Sequence, residues 1–225
     1  MLVKNWMSKP AITANVDTRP AEAIDLLQRH DIHMLPVMDG GRLVGIVTDR
    51  DLQPVSASPI IVPPSSGGLD LASPKAIHEI MTVSPVTISC TQTIEDTAEL
   101  LLIHKLLGLP VVTRVGSLVG VITKSDIFRF IITIIGMGKE GIQLAVELVD
   151  RPGCIQEVTD IVRDYGGRVG SVFSSLERAA LGYRQAYFRI YDIDRPGLAR
   201  VKEILQAKLR LLYIIEHREK LSEIF

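Results

Sequence analysis

At 225 residues the chain is long enough for more than one hydrophobic core, since single domains usually run to about 100 to 150 residues. Hydrophobic residues make up 47% and aromatics 5%, a composition of packed α/β cores that excludes a disordered chain. With Lys+Arg at 25 against Asp+Glu at 26, the net charge of -1 excludes a global field that would gather nucleic acid or an anionic membrane. Cys90 and Cys154 stand too far apart for a disulfide framework or a zinc site and fit a reducing cytoplasm. Met1 to Pro10 has no apolar signal-peptide core, and Ile127 to Met137 is interrupted by Arg129 and shorter than the roughly 20 residues of a span. Neither membrane insertion nor secretion is expected.

In chain order, Trp6-Met7-Ser8 comes first, and after Thr18 the apolar residues Ala23, Ile24 and Leu27 fall at helical spacing. Leu35 to Met38 and Leu43 to Val47 are short β-branched runs on either side of Asp39-Gly40-Gly41, which predicts a hairpin. Thr48 then opens a second helix. The stretch 54–74 holds five prolines, five serines and two glycines, the composition of a linker. The pattern next repeats: Ile80-Met81-Thr82, a helix after Thr93 with Ala98, Leu101 and Leu102, Leu109-Pro110-Val111, and Leu118 to Thr123 leading into a helix. Equivalent residues stand 74 or 75 positions apart throughout, so the chain contains two copies of a β-α-β-β-α unit, 1–53 and 75–135.

Each copy ends on Gly-h-h-Thr-x-x-Asp, with h an apolar residue: Gly45 to Asp51 and Gly120 to Asp126. Locally, Thr-x-x-Asp is a helix capping box, and Thr93-x-x-Asp96, which lacks the preceding strand, reads as that alone. A carboxylate at a helix start also suits two vicinal ribose hydroxyls, while the threonine hydroxyl and the helix N-terminus suit a phosphate. The ordered recurrence of Met-Ser/Thr, Leu-Pro-Val and Gly-h-h-Thr-x-x-Asp resembles the cystathionine-β-synthase (CBS) domain pair. That resemblance implies an adenosine ligand, an AMP/ADP/ATP-type nucleotide or S-adenosylmethionine, held by Thr48, Asp51, Thr123 and Asp126. A first strand near Ala11, Ile12 and Thr13, and in the second copy near Val86, Thr87 and Ile88, then flanks the adenine. Basic residues often precede Leu-Pro-Val in the family. Here copy one has His33-Met34 and copy two Leu107-Gly108, so His33 is a candidate phosphate contact and the two sites are unequal; Arg50 and Lys124 are alternatives.

From Gly141 the period-two run Ile142, Leu144, Val146, Leu148 predicts a strand. Asp150-Arg151-Pro152-Gly153 follows, then a helix through Ile155, Val158, Ile161 and Val162 that stops at Gly166-Gly167. Strands at Arg168 to Ser174 and Ala186 to Tyr191 come next, Asp194-Arg195-Pro196-Gly197 repeats the four residues 44 positions later before another helix, and Leu211 to Glu216 closes the unit. The order β-α-β-β-α-β is ferredoxin-like. The segment resembles the ACT regulatory domain, whose Asp-x-Pro-Gly loop implies an amino-acid-like effector at Asp150, Pro152, Gly153 and Cys154. The fold class expected is therefore α/β (α+β), a tandem CBS pair with a linker at 54–74 and an ACT-like domain at 139–225. This arrangement resembles the acetoin-utilisation protein family.

Gly136-x-Gly138-x-x-Gly141 satisfies a dinucleotide-binding pattern, yet a strand rather than a helix follows, so it reads as an interdomain turn. The five histidines, His30, His33, His78, His104 and His217, form no ligand-spaced set, and no nucleophile or metalloprotease motif occurs. The expected function is a non-catalytic, homodimeric ligand sensor acting on a regulated protein. A scaffold with empty pockets, or an enzyme with a site built from remote residues, stands as the alternative.

Overall fold

A computed structural model describes residues 1–56, 76–136, 141–216 and 221–225. The chain divides into two compact units, Met1–Phe128 and Arg129–Phe225. The division falls inside a helix rather than at the Gly136 to Gly141 turn, of which 137–140 lie outside the described residues.

In the first unit, copy one runs β1 (Ala14–Asn15), α1 (Pro20–His30), β2 (Met34–Asp39), β3 (Arg42–Thr48) and α2 (Asp49–Ser56). Copy two adds a short β4 (Thr82–Val83) and then repeats the order as β5 (Ile88–Ser89), α3 (Ile94–Ile103), β6 (Gly108–Val112), β7 (Leu118–Thr123) and α4 (Lys124–Ile135). The Gly40-Gly41 hairpin forms as expected, with φ of 50° and 83°, the pair of positive angles that a two-residue turn between twisted strands demands. Thr93 and Asp96 form the anticipated box at the start of α3. The Thr93 amide donates to the Asp96 carboxylate at 3.0 Å and holds its carboxyl below the usual range.

Three expectations shift. The first strands begin at Ala14 and Ile88 rather than at Ala11 and Val86, since Pro10 and Pro85, just upstream, bring no amide hydrogen to a ladder. Residues 54–56, expected as linker, form the last turn of α2; the remainder of that stretch lies outside the described residues. The third concerns the boundaries of the copies, because each copy's opening segment packs on the other copy. Val3, fully buried, bonds through its amide to Gln92 O at 2.9 Å, and Ser8 bridges Val121 of β7. Reciprocally, Ile77, also fully buried, bonds to Thr18 O at 2.9 Å, and β4 pairs with β3.

This exchange explains the motif glycines. A Cβ on Gly45 would stand 2.5 Å from Met81 Sδ and 3.0 Å from Thr82 O. One on Gly120 would stand 2.9 Å from Met7 Sδ and 2.7 Å from Ser8 O. The Gly of each copy's closing motif thus receives the Met-Ser/Thr of the other's opening motif.

The second unit runs β8 (Ile142–Val149), α5 (Cys154–Asp164), β9 (Arg168–Ser175), β10 (Tyr183–Tyr191), α6 (Arg195–Lys208), β11 (Arg210–Glu216) and β12 (Leu221–Ile224). The sheet order is β12-β11-β8-β10-β9, antiparallel throughout. Without β12 this is the expected ferredoxin-like order. β12 is an addition, pairing Leu221 to Ile224 along β11, whose edge would otherwise be open. One face of the sheet, carrying Leu144, Val146, Phe188, Ile190 and Leu211, packs on Val158, Val162, Val201 and Leu205 of the two helices. Among the described residues no helix is long and apolar enough to cross a membrane.

Gly120→Ala forces a Cβ against the backbone oxygen of Ser8, which a side-chain rotation cannot relieve. It is expected to destabilise the first unit by about 1 to 3 kcal/mol, read as a lower urea midpoint at unchanged slope.

Candidate functional site

Thr48 and Thr123 are the last residues of β3 and β7, and the helix that follows each brings an aspartate back three positions later. In copy one the Thr48 amide and hydroxyl both donate to Asp51 Oδ2 at 2.8 Å. In copy two the Thr123 amide and hydroxyl donate to Asp126 Oδ2 at 2.9 and 2.8 Å, and the Asp126 amide donates to Thr123 Oγ1 at 3.3 Å. Both boxes therefore act as caps and hold their carboxylates in one orientation. They differ in burial: Asp126 is 3% exposed, whereas Asp51 is only partly buried and its Oδ1 has no hydrogen-bond partner among the described residues.

The sheets bring the remaining candidates to the same ends. β1 runs parallel to β2 with Ala14 opposite Val37, which sends Ala11, Ile12 and Thr13 back toward Met34; Met34 is opposite Thr48. In copy two Ile88 is opposite Val111, and Gly108 is opposite Thr123, so Val86 and Thr87 approach the second box in the same way. Ile12 also packs on the core of copy one. The copies diverge at the first helical residue. Asp49 donates its amide to His33 O at 3.3 Å and its Oδ2 faces His33 Nδ1 at 3.2 Å, while Lys124 at the equivalent place donates to Leu107 O at 2.9 Å. His33 is exposed and turned to this aspartate. Asp49 was not singled out from the sequence; the 75-residue offset from Lys124 was the signal that could have found it.

In the second unit the two Asp-Arg-Pro-Gly motifs take different structures. Asp194 caps α6, accepting from the Gly197 amide at 2.8 Å, and the helix starts at Arg195 with Pro196 in its first turn. Asp150 does not cap. Nε and Nη2 of Arg184 each stand 2.7 Å from its Oδ1, and α5 begins only at Cys154, with Gly153 at φ 84° in the cap position. The helix therefore starts two residues after Pro152, which was expected at its first position. The amides of Ile155 and Gln156 have no partner among the described residues. Gly153 meets nothing within 4 Å of a built Cβ, so its backbone angle and not close approach requires glycine.

Asp150, Pro152, Gly153 and Cys154 all line one open cleft of about 850 Å³, together with Gln156, Thr159, Arg163 and Arg184. Arg184 was invisible to motif reading because it lies 34 residues from Asp150 in sequence; β10 pairing with β8, Tyr183 opposite Val149, brings them together. Cys154 is buried beneath the loop.

Comparison with known proteins bears on the first unit. A family profile for the CBS domain matches residues 3–57 and again 77–133. A CBS domain-containing protein of Dictyostelium discoideum is 36% identical over 136 residues, 60% of this chain and 94% of its own length. The CBS domain pair of protein MJ0100, solved in complex with 5′-methylthioadenosine and S-adenosyl-L-methionine, is 32% identical with a TM-score of 0.50, covering 62% of this chain and 98% of that one. A Vibrio cholerae structure described as an acetoin utilization protein (AcuB) is 26% identical with a TM-score of 0.51, covering 61% and 95%. With its two interlocked β-α-β-β-α copies, paired boxes and these relatives, the chain belongs to the CBS-domain family.

Proposed function

We propose that the chain is a non-catalytic cytoplasmic sensor whose CBS pair binds an adenosine ligand. The observation that carries this reading is the duplication of a pre-oriented Thr-x-x-Asp carboxylate at the sheet end where Ala11 to Thr13, or Val86 and Thr87, also arrive. An adenine held by the lead-in would place its ribose near the carboxylate, whose second oxygen in copy one is open. The complex of MJ0100 with 5′-methylthioadenosine and S-adenosyl-L-methionine supports the ligand class. Charge distinguishes the copies: Lys124 favours a phosphate at the start of α4, whereas Asp49 opposes one at the start of α2 and suits an uncharged or cationic 5′ group. The ligand is a regulatory signal and not a cofactor, and its reading is passed to a regulated protein. The likeness to the Vibrio cholerae protein supports a link to acetoin utilisation.

The second unit is proposed as an ACT-type effector domain. Its cleft at Asp150 to Cys154 offers the free amides of Ile155 and Gln156 to a carboxylate. An amino-acid-like effector's ammonium group would have to share Asp150 with Arg184. We further propose a homodimer in which a second copy covers the exposed Leu102, Ile103, Leu107 and Phe128 of the first unit.

Calorimetry should show tight binding of AMP, S-adenosylmethionine or 5′-methylthioadenosine, weakened about 10- to 100-fold (1.5 to 3 kcal/mol) by Asp51→Ala or Asp126→Ala in at least one site. Unchanged affinity in both variants would reduce the boxes to caps. For the effector cleft, amide spectra of the full chain titrated with amino acids should shift at Ile155 and Gln156, and Asp150→Ala should abolish the shift; no shift at those amides with any amino acid sinks the claim. Light scattering at tens of micromolar should give a dimer, and Phe128→Glu should convert it to monomer.

A further inference from the structure

Strand alternation in the second unit leaves one sheet face away from α5 and α6. On that face Arg189 of β10 lies between Gln143 of β8 and Ser171 of β9, beside the register shift that follows it in the β9 pairing. Arg189 is 3% exposed, and its Nε and Nη1 are shut off from water without a hydrogen-bond partner among the described residues. A buried guanidinium is ordinarily paired, because desolvating an unanswered charge is among the costliest things a fold can do. Two polar side chains nearby are engaged with other partners. Glu147, the carboxylate on the same face of β8, takes Arg210 at 3.0 Å. Ser171 donates its hydroxyl to Ile135 O at 3.1 Å.

Tyr213 of β11 belongs to the same cluster. Gln143 Nε2 donates to its hydroxyl oxygen at 3.1 Å, which leaves the phenol's own proton with no acceptor among the described residues. Burial raises its phenol above the ordinary value, with Tyr187 adding to the rise and Arg189 opposing it, so the three groups lie within electrostatic reach of one another. Among the described residues, Arg189 Nε and Nη1 and the phenol proton are donors that no acceptor meets.

We propose that this face is an oxyanion site, in which Arg189 and the Tyr213 hydroxyl hold the carboxylate or phosphate group of a small metabolite. Arg189 is buried while Tyr187 and Tyr213 are part-exposed, so on this proposal the anion reaches Nε and Nη1 by displacing these rings. The site is separate from the Asp150 to Cys154 cleft, whose residues sit at the other end of β8 and β10, and it does not depend on the adenosine reading.

The test is thermal unfolding of the full chain titrated with sodium phosphate and, separately, sodium succinate, each against sodium chloride at matched ionic strength. A saturable rise in the unfolding temperature with phosphate or succinate, beyond that with chloride, is expected. Arg189→Met should abolish the rise, and Tyr213→Phe, which removes one hydroxyl without emptying the core, should weaken it about tenfold. Which salt gives the tighter saturation separates phosphate from carboxylate. No rise beyond chloride, or an equal rise in Tyr213→Phe and Arg189→Met, overturns the proposal. So does a parent whose unfolding is blind to both anions and whose dimer is lost in Arg189→Met, because a second copy's carboxylate would then be the guest.

Discussion

The steric contact between each closing-motif glycine and the other copy's opening methionine is what makes the first unit one structure. Gly45 accommodates Met81 and Gly120 accommodates Met7, and any side chain at either glycine would meet backbone oxygen at 3.0 Å or less. Once those contacts form, Val3 and Ile77 are carried into the opposite cores, and neither copy can be complete alone. The hydrogen bonds that seal the exchange join residues far apart in sequence, such as Ile94 N to Met1 O at 2.8 Å. Closing such long loops is entropically costly and slow, so the pair and not the single repeat is the cooperative unit. The two boxes consequently belong to one interlocked structure, though their surroundings differ in burial and charge.

Capping and ligand binding are not rival uses of Thr-x-x-Asp. The threonine's two donors converge on Oδ2 and so fix the carboxylate plane, which is the pre-organisation a ribose contact needs. Thr93 and Asp96 show that the box alone does not make a site. They share the amide-to-carboxylate bond of the other boxes, but Thr93 follows the Ser89 to Gln92 turn and not a central strand, and its hydroxyl accepts from the Asp96 amide. What differs is the sheet behind the box, and that is a property of the fold.

Local chemistry was legible in the sequence and distant chemistry was not. The hairpin at Gly40-Gly41, the capped α3 and the alternating β8 were readable because each depends on residues within a few positions of one another. The ferredoxin-like order followed from the succession of such elements. The exchange of Val3 and Ile77, the added β12 and the late start of α5 depend on partners tens of residues away. The two Asp-Arg-Pro-Gly corners make the point most directly, since identical tetrapeptides diverge because Arg184 draws Asp150 away while Asp194 remains with its helix. In the same way the box residues were found by their spacing, but Asp49 facing His33 emerged only once β2 and β3 were paired.

A stable fold answers its own polar groups, and the exceptions here are not scattered at random. The Asp194 corner is closed, with its cap made and its helix begun on time, as a purely structural turn should be. Among the described residues, the Asp150 corner leaves two helix-start amides open above a cleft, Asp51 keeps one carboxylate oxygen unclaimed, and Arg189 Nε and Nη1 go unanswered. Two of the three fall on elements whose counterpart elsewhere in the chain is satisfied: Asp150 against Asp194, and Asp51 against the more deeply buried Asp126. Because the same sequence solves each local problem once, the unsolved copies are not failures of the local code. Ligands of the kinds proposed, bound there, would contribute free energy that the protein withholds from itself, which is the physical requirement for a molecule whose state reports on what it binds.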